Sequence, residues 1–279
     1  MNRHVIVTGA SRGLGRAVVT RLAKEGWHVS FGARNLGELE ALNRELASMG
    51  FACAFHQLDV SVPGSVSAFF EWSVETFGPP SALVHTAGVY GPFGDSQKVD
   101  PAAWHQTIAI NLGGSFLVAR EAIGAMRHAG GGRIVMLSGG GATSPMPNIS
   151  AYAASKAAVV RLVESLALEV ESDGIVINAV APGLMATGML DELLAESRDV
   201  VGGSCYDRMA DAKERGEDSL PDAVDLVAFL VSAKVPGLTG RLISAKWDPW
   251  KQWDGEVPEL QDRNAFTLRR IVPETGNRS

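Results

Sequence analysis

The chain has 279 residues, 46% of them hydrophobic and 20% charged, and carries a formal net charge of −6. Such a composition folds around a core rather than staying disordered, and its acidic balance argues against a nucleic-acid partner, which needs clustered Lys and Arg. Two cysteines, Cys53 and Cys205, with no CxxC pair fit a reducing, cytoplasmic setting and give no disulfide framework.

The first apolar run, Val5-Ile6-Val7, leads directly into a glycine turn and has nothing of a signal peptide. No run of about 18 apolar residues occurs, so no membrane partner is expected. Six histidines without HExxH or paired spacing give no expected metal site.

Residues 4–8 are a short β-branched run that ends in Gly9-Ala10-Ser11-Arg12-Gly13-Leu14-Gly15. A helix follows from Arg16 to Lys24, with Gly26 as its stop. Strand, glycine turn and helix in succession let the backbone approach a pyrophosphate, which the helix N-terminus attracts. The second strand, residues 28–32, ends at Ala33-Arg34-Asn35. An acid there would hold the ribose 2′-hydroxyl of NAD(H); none is present, and Arg34 with Arg12 suits a 2′-phosphate instead. Two solvated surface arginines are the plain alternative.

Strand–helix alternation then continues. Strands are predicted at 52–57, 81–85, 133–137 and 175–180, with helices over about 63–77, 101–128 and 151–171. The pattern predicts an α/β fold, a doubly wound parallel sheet with helices on both faces. Gly9, Thr86, Ser138 and Pro182 all fall at carboxyl ends of strands, where such sheets bind ligands, and are expected to share one site. In Ser150-Ala151-Tyr152-Ala153-Ala154-Ser155-Lys156 a phenol and an ammonium stand four residues apart, on one helix face. A nearby cation is expected to lower the tyrosine pKa toward working pH, making a proton-transfer pair.

Residues 184–220 lose the alternation and read as an irregular substrate lid. A helix over about 221–233 and a last strand at 241–244 follow. The expected division is one domain over 1–245, containing that lid, and a C-terminal extension over 246–279 with Trp247, Trp250 and Trp253 three apart. The extension either reaches a neighbouring subunit, covers the substrate mouth, or lies along its own domain.

Taken together, Thr8-Gly9 through Gly15, Asp59, Ala87-Gly88, Asn111, Tyr152 with Lys156, and Pro182-Gly183 followed by Thr187 resemble the short-chain dehydrogenase/reductase family over residues 4–245. The resemblance implies a Rossmann-type sheet of about seven strands, hydride transfer between NADP(H) and a small-molecule carbonyl or alcohol, and a homodimer or homotetramer. By position, Tyr152 is the acid/base, Lys156 holds the nicotinamide ribose, and Asn111 supports a relay water. The glycine turn Gly9, Ser11, Arg12, Gly13, Leu14 and Gly15 holds the cofactor phosphates together with Arg34. Asp59 and Val60 face the adenine, with Ala87, Gly88, Pro182 and Gly183 along the cleft, and Met185 and Thr187 at the nicotinamide.

The departures lie at Thr86, where the family has Asn, and at the catalytic serine. Thirteen residues before the tyrosine stands Gly139, and Ser138 is one residue early. On an extended strand a one-residue offset points the other way. Ser138, Thr143, Ser144 or no hydroxyl then serves the carbonyl. Losing that donor would cost on the order of 3 kcal/mol. The alternative reading is a nucleotide-binding regulator of the same fold with weak turnover.

Overall fold

A computed structural model describes residues 3–270. Its strands are β1 (His4–Thr8), β2 (His28–Ala33), β3 (Cys53–Gln57), β4 (Ala82–His85), β5 (Gly132–Leu137), β6 (Ile175–Ala181) and β7 (Leu242–Ser244). They form one parallel sheet in the order β3-β2-β1-β4-β5-β6-β7. The order reverses between β1 and β4, and the crevice outside their carboxyl ends is where this topology places a ligand.

Alternation along the strands builds the two faces. Val5, Val7, Phe31, Val84, Val135 and Val180 point to one side, and Ile6, Leu83, Ile134, Met136 and Ile177 to the other. The first face packs on α1 (Gly13–Lys24), α2 (Leu36–Ser48) and a later helix, Leu220–Ser232. The second packs on α3 (Pro63–Phe77), α5 (Gly114–Ala129) and α6 (Ser150–Glu169). Several helix starts follow from local chemistry. Asn35 accepts from Glu38 N to cap α2. Asp100 accepts from Ala102 and Ala103 N to cap α4 (Pro101–Ile108), which opens on a proline.

The helical stretch predicted over 101–128 is present, but α4 and α5 are joined by a π-turn at Ala109–Gly113 that contains Asn111. Such a turn displaces one residue from the regular ladder and often marks a working site. By length and a mean hydropathy of 1.2, Pro101–Ala129 is the one span-like helix among the described residues. Val118, Ala119, Ala122 and Met126 are nevertheless fully buried against the sheet.

Residues 184–220 depart from the expected irregular lid. They contain α7 (Gly188–Ala195), α8 (Arg198–Val201) and α9 (Gly203–Glu214), ahead of α10, the Leu220–Ser232 helix. Leu190, Leu193, Val201 and Cys205 bury one side of this group. Charged residues around them sit on the solvent side, pairing as Lys213–Asp191 and Arg198–Asp207; α7 and α8 are too short, and α9, which buries only Cys205 and Ala212, is too polar to show an apolar period in the sequence.

The extension lies along its own domain as far as it is described; residues 271–279 fall outside the described residues. Trp250, Trp253, Val257 and Leu260 join the core beside α10, whereas Trp247 is 78% exposed. Buried Arg241 donates to the carbonyls of Leu260, Asp262 and Ala265, and Leu242 N donates to Phe266 O at 2.7 Å. Glu164 of α6 accepts from Leu268 N at 2.7 Å.

Candidate active site

The cleft at the switch point has a volume of about 400 Å³. Gly9 follows β1 with φ +72 and its N donates to Gly32 O, turning the chain across the end of β2. A Cβ there would meet Ala87 N at 2.5 Å, and one on Gly15 would meet Gly9 O at 2.3 Å, so the two strand ends approach through glycine alone. Thr86, in place of the family's Asn, donates its hydroxyl to Thr8 O at 2.7 Å and ties β4 to β1.

Every residue expected to bind cofactor lines this cleft except Gly183, which faces a neighbouring cavity. Ser138 also lines it, while Asn111 lies behind the wall, fully buried. Helix α1 begins at Gly13, so its unpaired first-turn amides open beside the glycine turn. Arg34 is exposed and makes no ion pair among the described residues. Burial pushes Asp59 up, but hydrogen bonds from Ser61 and the nearby Arg34 charge outweigh this and hold its carboxyl below the usual range. Arg12 reaches across to α7 and donates to Glu192 Oε1 at 2.8 Å. Glu38, one turn into α2, lines the same end.

Tyr152 and Lys156 lie on one face of α6 as their spacing predicts, with Nζ 5.7 Å from the phenol ring centroid. Lys156 is buried and donates to Leu137 O at 3.0 Å, at the end of β5. The expected lowering of the tyrosine pKa is not found. Burial, with Tyr90 nearby, pushes the Tyr152 phenol above its ordinary value, and burial pushes Lys156 down to about 8. Desolvation here opposes both charged forms.

The two positions before the tyrosine loop separate cleanly. Ser138 is 3% exposed and donates to Lys156 O at 3.1 Å, so its hydroxyl is directed into α6. Gly139 faces the phenol: a Cβ built on it would lie 2.5 Å from the Tyr152 oxygen. Its φ of 175 is ordinary extended backbone, so space rather than conformation excludes a side chain.

Beyond Tyr152 lies a second cavity of about 710 Å³, lined by Tyr90, Met146, Met189, Met209, Phe266 and Leu268 among others, with Thr143 and Ser144 also in its walls. Tyr152 belongs to the walls of both spaces. Sequence reading missed Tyr90, whose ring lies 4.8 Å from that of Tyr152, and Phe266 and Leu268 from the extension. Tyr90 stands two residues past Gly88, the only signal the sequence carries for it.

A parallel sheet with a glycine turn at its switch point and a Tyr–Lys pair facing that cleft defines an oxidoreductase of the Rossmann class. The chain belongs to the short-chain dehydrogenase/reductase family: the family described as short chain dehydrogenase matches residues 3–198. It is 33% identical over 261 residues to an NADPH-dependent aldehyde reductase-like protein, chloroplastic, of Arabidopsis thaliana, covering 86% of this chain and 92% of that one. It is 32% identical over 246 residues to a 3-oxoacyl-acyl-carrier-protein reductase of Staphylococcus aureus, covering 87% and 96%. Among solved structures it is similar to an actinorhodin polyketide ketoreductase variant with NADPH, at TM-score 0.79 and 28% identity over 87% of this chain and 95% of that one. Levodione reductase matches at TM-score 0.80 and 28% identity, over 88% and 96%.

Proposed function

We propose that the protein transfers hydride between NADP(H) and a carbonyl or secondary alcohol, with Tyr152 as the acid/base. The observation that carries this reading is the place of Tyr152 on the wall shared by the nucleotide cleft and the second cavity. The glycine cradle that a Cβ would fill, the opening of α1 and the exposed Arg34 fit a dinucleotide with a 2′-phosphate. When bound, the nicotinamide supplies or accepts the hydride.

In reduction, Tyr152 gives its phenolic proton to the carbonyl oxygen as the alcohol forms and then regains one from solvent. Lys156 stabilises the phenolate by its charge and, from the cleft wall, would hold the nicotinamide ribose. Burial keeps the phenol protonated at neutral pH, the state that reduction needs. Asn111 acts through the backbone: its side chain accepts from Val89 N and donates to Val89 O and Ser155 Oγ, each at 2.9 Å. It thereby holds the segment after β4 against α6.

A panel of aldehydes and ketones read by NADPH absorbance tests the activity. Tyr152→Phe is expected to lose turnover while NADPH affinity stays within about twofold; retained turnover sinks the acid/base assignment. A second reading has one observation behind it: Glu38 at the adenosine end could hold a ribose diol and favour NADH. Titration with both nucleotides decides, with NADPH expected to bind more tightly and Arg34→Ala to narrow the gap.

A further inference from the structure

We infer that Tyr90 supplies the hydroxyl that the family serine would give, donating a hydrogen bond to the substrate carbonyl oxygen beside Tyr152. This rests on the carbonyl-reductase reading. Gly139 has no side chain, and the Ser138 hydroxyl is spent on Lys156 O, so the site needs another donor.

The chain has three tyrosines. Tyr206 donates its hydroxyl to Leu194 O. The hydroxyls of Tyr90 and Tyr152 make no hydrogen bond among the described residues, and both side chains line the second cavity. Their rings meet at 4.8 Å with a tilt of 55°, and Phe93 also packs against Tyr90 at 5.7 Å. Thr143 and Ser144 also line the cavity, but both are exposed on the loop before α6, where water competes for them.

A donor is effective in catalysis when it is held in place before the charge develops. The segment carrying Tyr90 has no regular secondary structure, yet it is fixed on both sides. Asn111 holds both backbone groups of Val89. Gly91 has φ +79 and sits so close to α4 that a Cβ would fall 2.0 Å from Thr107 Oγ1. Gly94 N donates to Asn148 O at 2.9 Å. Burial, with Cys205 and Glu192 nearby, pushes Tyr90 up to about 12, so it remains a donor through the working pH range. Asn111 and Tyr90 are then one device, the π-turn amide positioning the loop that presents the phenol.

The test compares Tyr90→Phe, which removes one oxygen and keeps the ring, with Tyr90→Ala, Thr143→Ala and Ser144→Ala. Tyr90→Phe is expected to lower kcat about a hundredfold, the usual effect of deleting one such donor. Its carbonyl KM should stay within threefold, and its NADPH affinity, read by fluorescence titration, should not change. Tyr90→Ala should also raise KM, because the ring is lost. A Tyr90→Phe kcat within twofold of the unaltered protein overturns the inference, as does a rise in KM alone, which marks packing. Either result leaves the Tyr152 reading standing. An unaltered protein that reduces no carbonyl overturns both.

Discussion

At Gly139 a residue is chosen by what stands opposite it. The Tyr152 oxygen occupies the space a side chain would take, 2.5 Å from a Cβ at that position. Gly139→Ala should therefore displace the phenol without supplying a donor. An error of about 1 Å at a reacting group costs on the order of a hundredfold, so kcat is expected to fall at least tenfold with NADPH affinity unchanged, measured by steady-state kinetics and titration. The offset of Ser138 from the family position was legible in the sequence, because the alternation of a strand assigns each residue a side. Tyr90 was not, because its contact with Tyr152 spans 62 residues of chain and follows no period. The tyrosine pKa departs from the sequence expectation for a related reason: spacing reveals the lysine charge but not the burial of both groups.

Among the elements, the strands and the helices that face them were readable to within three residues, the start of α1 at Gly13 rather than Arg16 being the widest miss. The three short helices at 188–214 were not. The course of the extension was also hidden, because a buried arginine rather than an apolar pattern directs it. Arg241 is 4% exposed, and its guanidinium is taken up by carbonyls of Leu260, Asp262 and Ala265. Phe266, held beside them with φ +56, adopts a left-handed backbone that costs a large residue about 1 kcal/mol or more and needs such anchors. Arg241→Met leaves these carbonyls, that of Leu260 buried, without a charged donor. It is expected to destabilise the protein by about 3 kcal/mol in urea unfolding and to speed hydrogen exchange at the Leu242 amide.

The whole molecule carries an acid sensitivity in its sheet. His4 places Nδ1 2.7 Å from Gly78 O and Nε2 2.9 Å from Ser30 Oγ. The neutral ring satisfies both, donating to the carbonyl and accepting from the hydroxyl. His85 lies 2.7 Å from Thr8 Oγ1, and its Nε2 is buried without a partner among the described residues. Burial lowers His4 to about 4; burial, with the Lys156 charge, lowers His85 to about 3. Both folded values lie below the ordinary value of 6.5, so between them and 6.5 the unfolded chain binds more protons. Stability is full above pH 6.5 and is lost as pH falls toward 4 and then 3, by several kcal/mol in all. Urea midpoints between pH 7.5 and 4.5 should fall steeply, and His85→Gln should flatten the decline; a parallel decline in the variant would remove His85 as a cause.

The bond from Leu242 N to Phe266 O has a reach beyond the cavity it helps to close. A final strand with open amides is a template on which another chain can assemble, and β7, only three residues long, has that outward amide already engaged by its own polypeptide. Phe266 and Leu268, which wall the space beyond Tyr152, therefore sit in the same short segment that seals the sheet. Loosening that segment would bare a sticky edge and reshape the second cavity at one stroke, so poor solubility and, under the proposed function, altered selectivity should arise in the same variants.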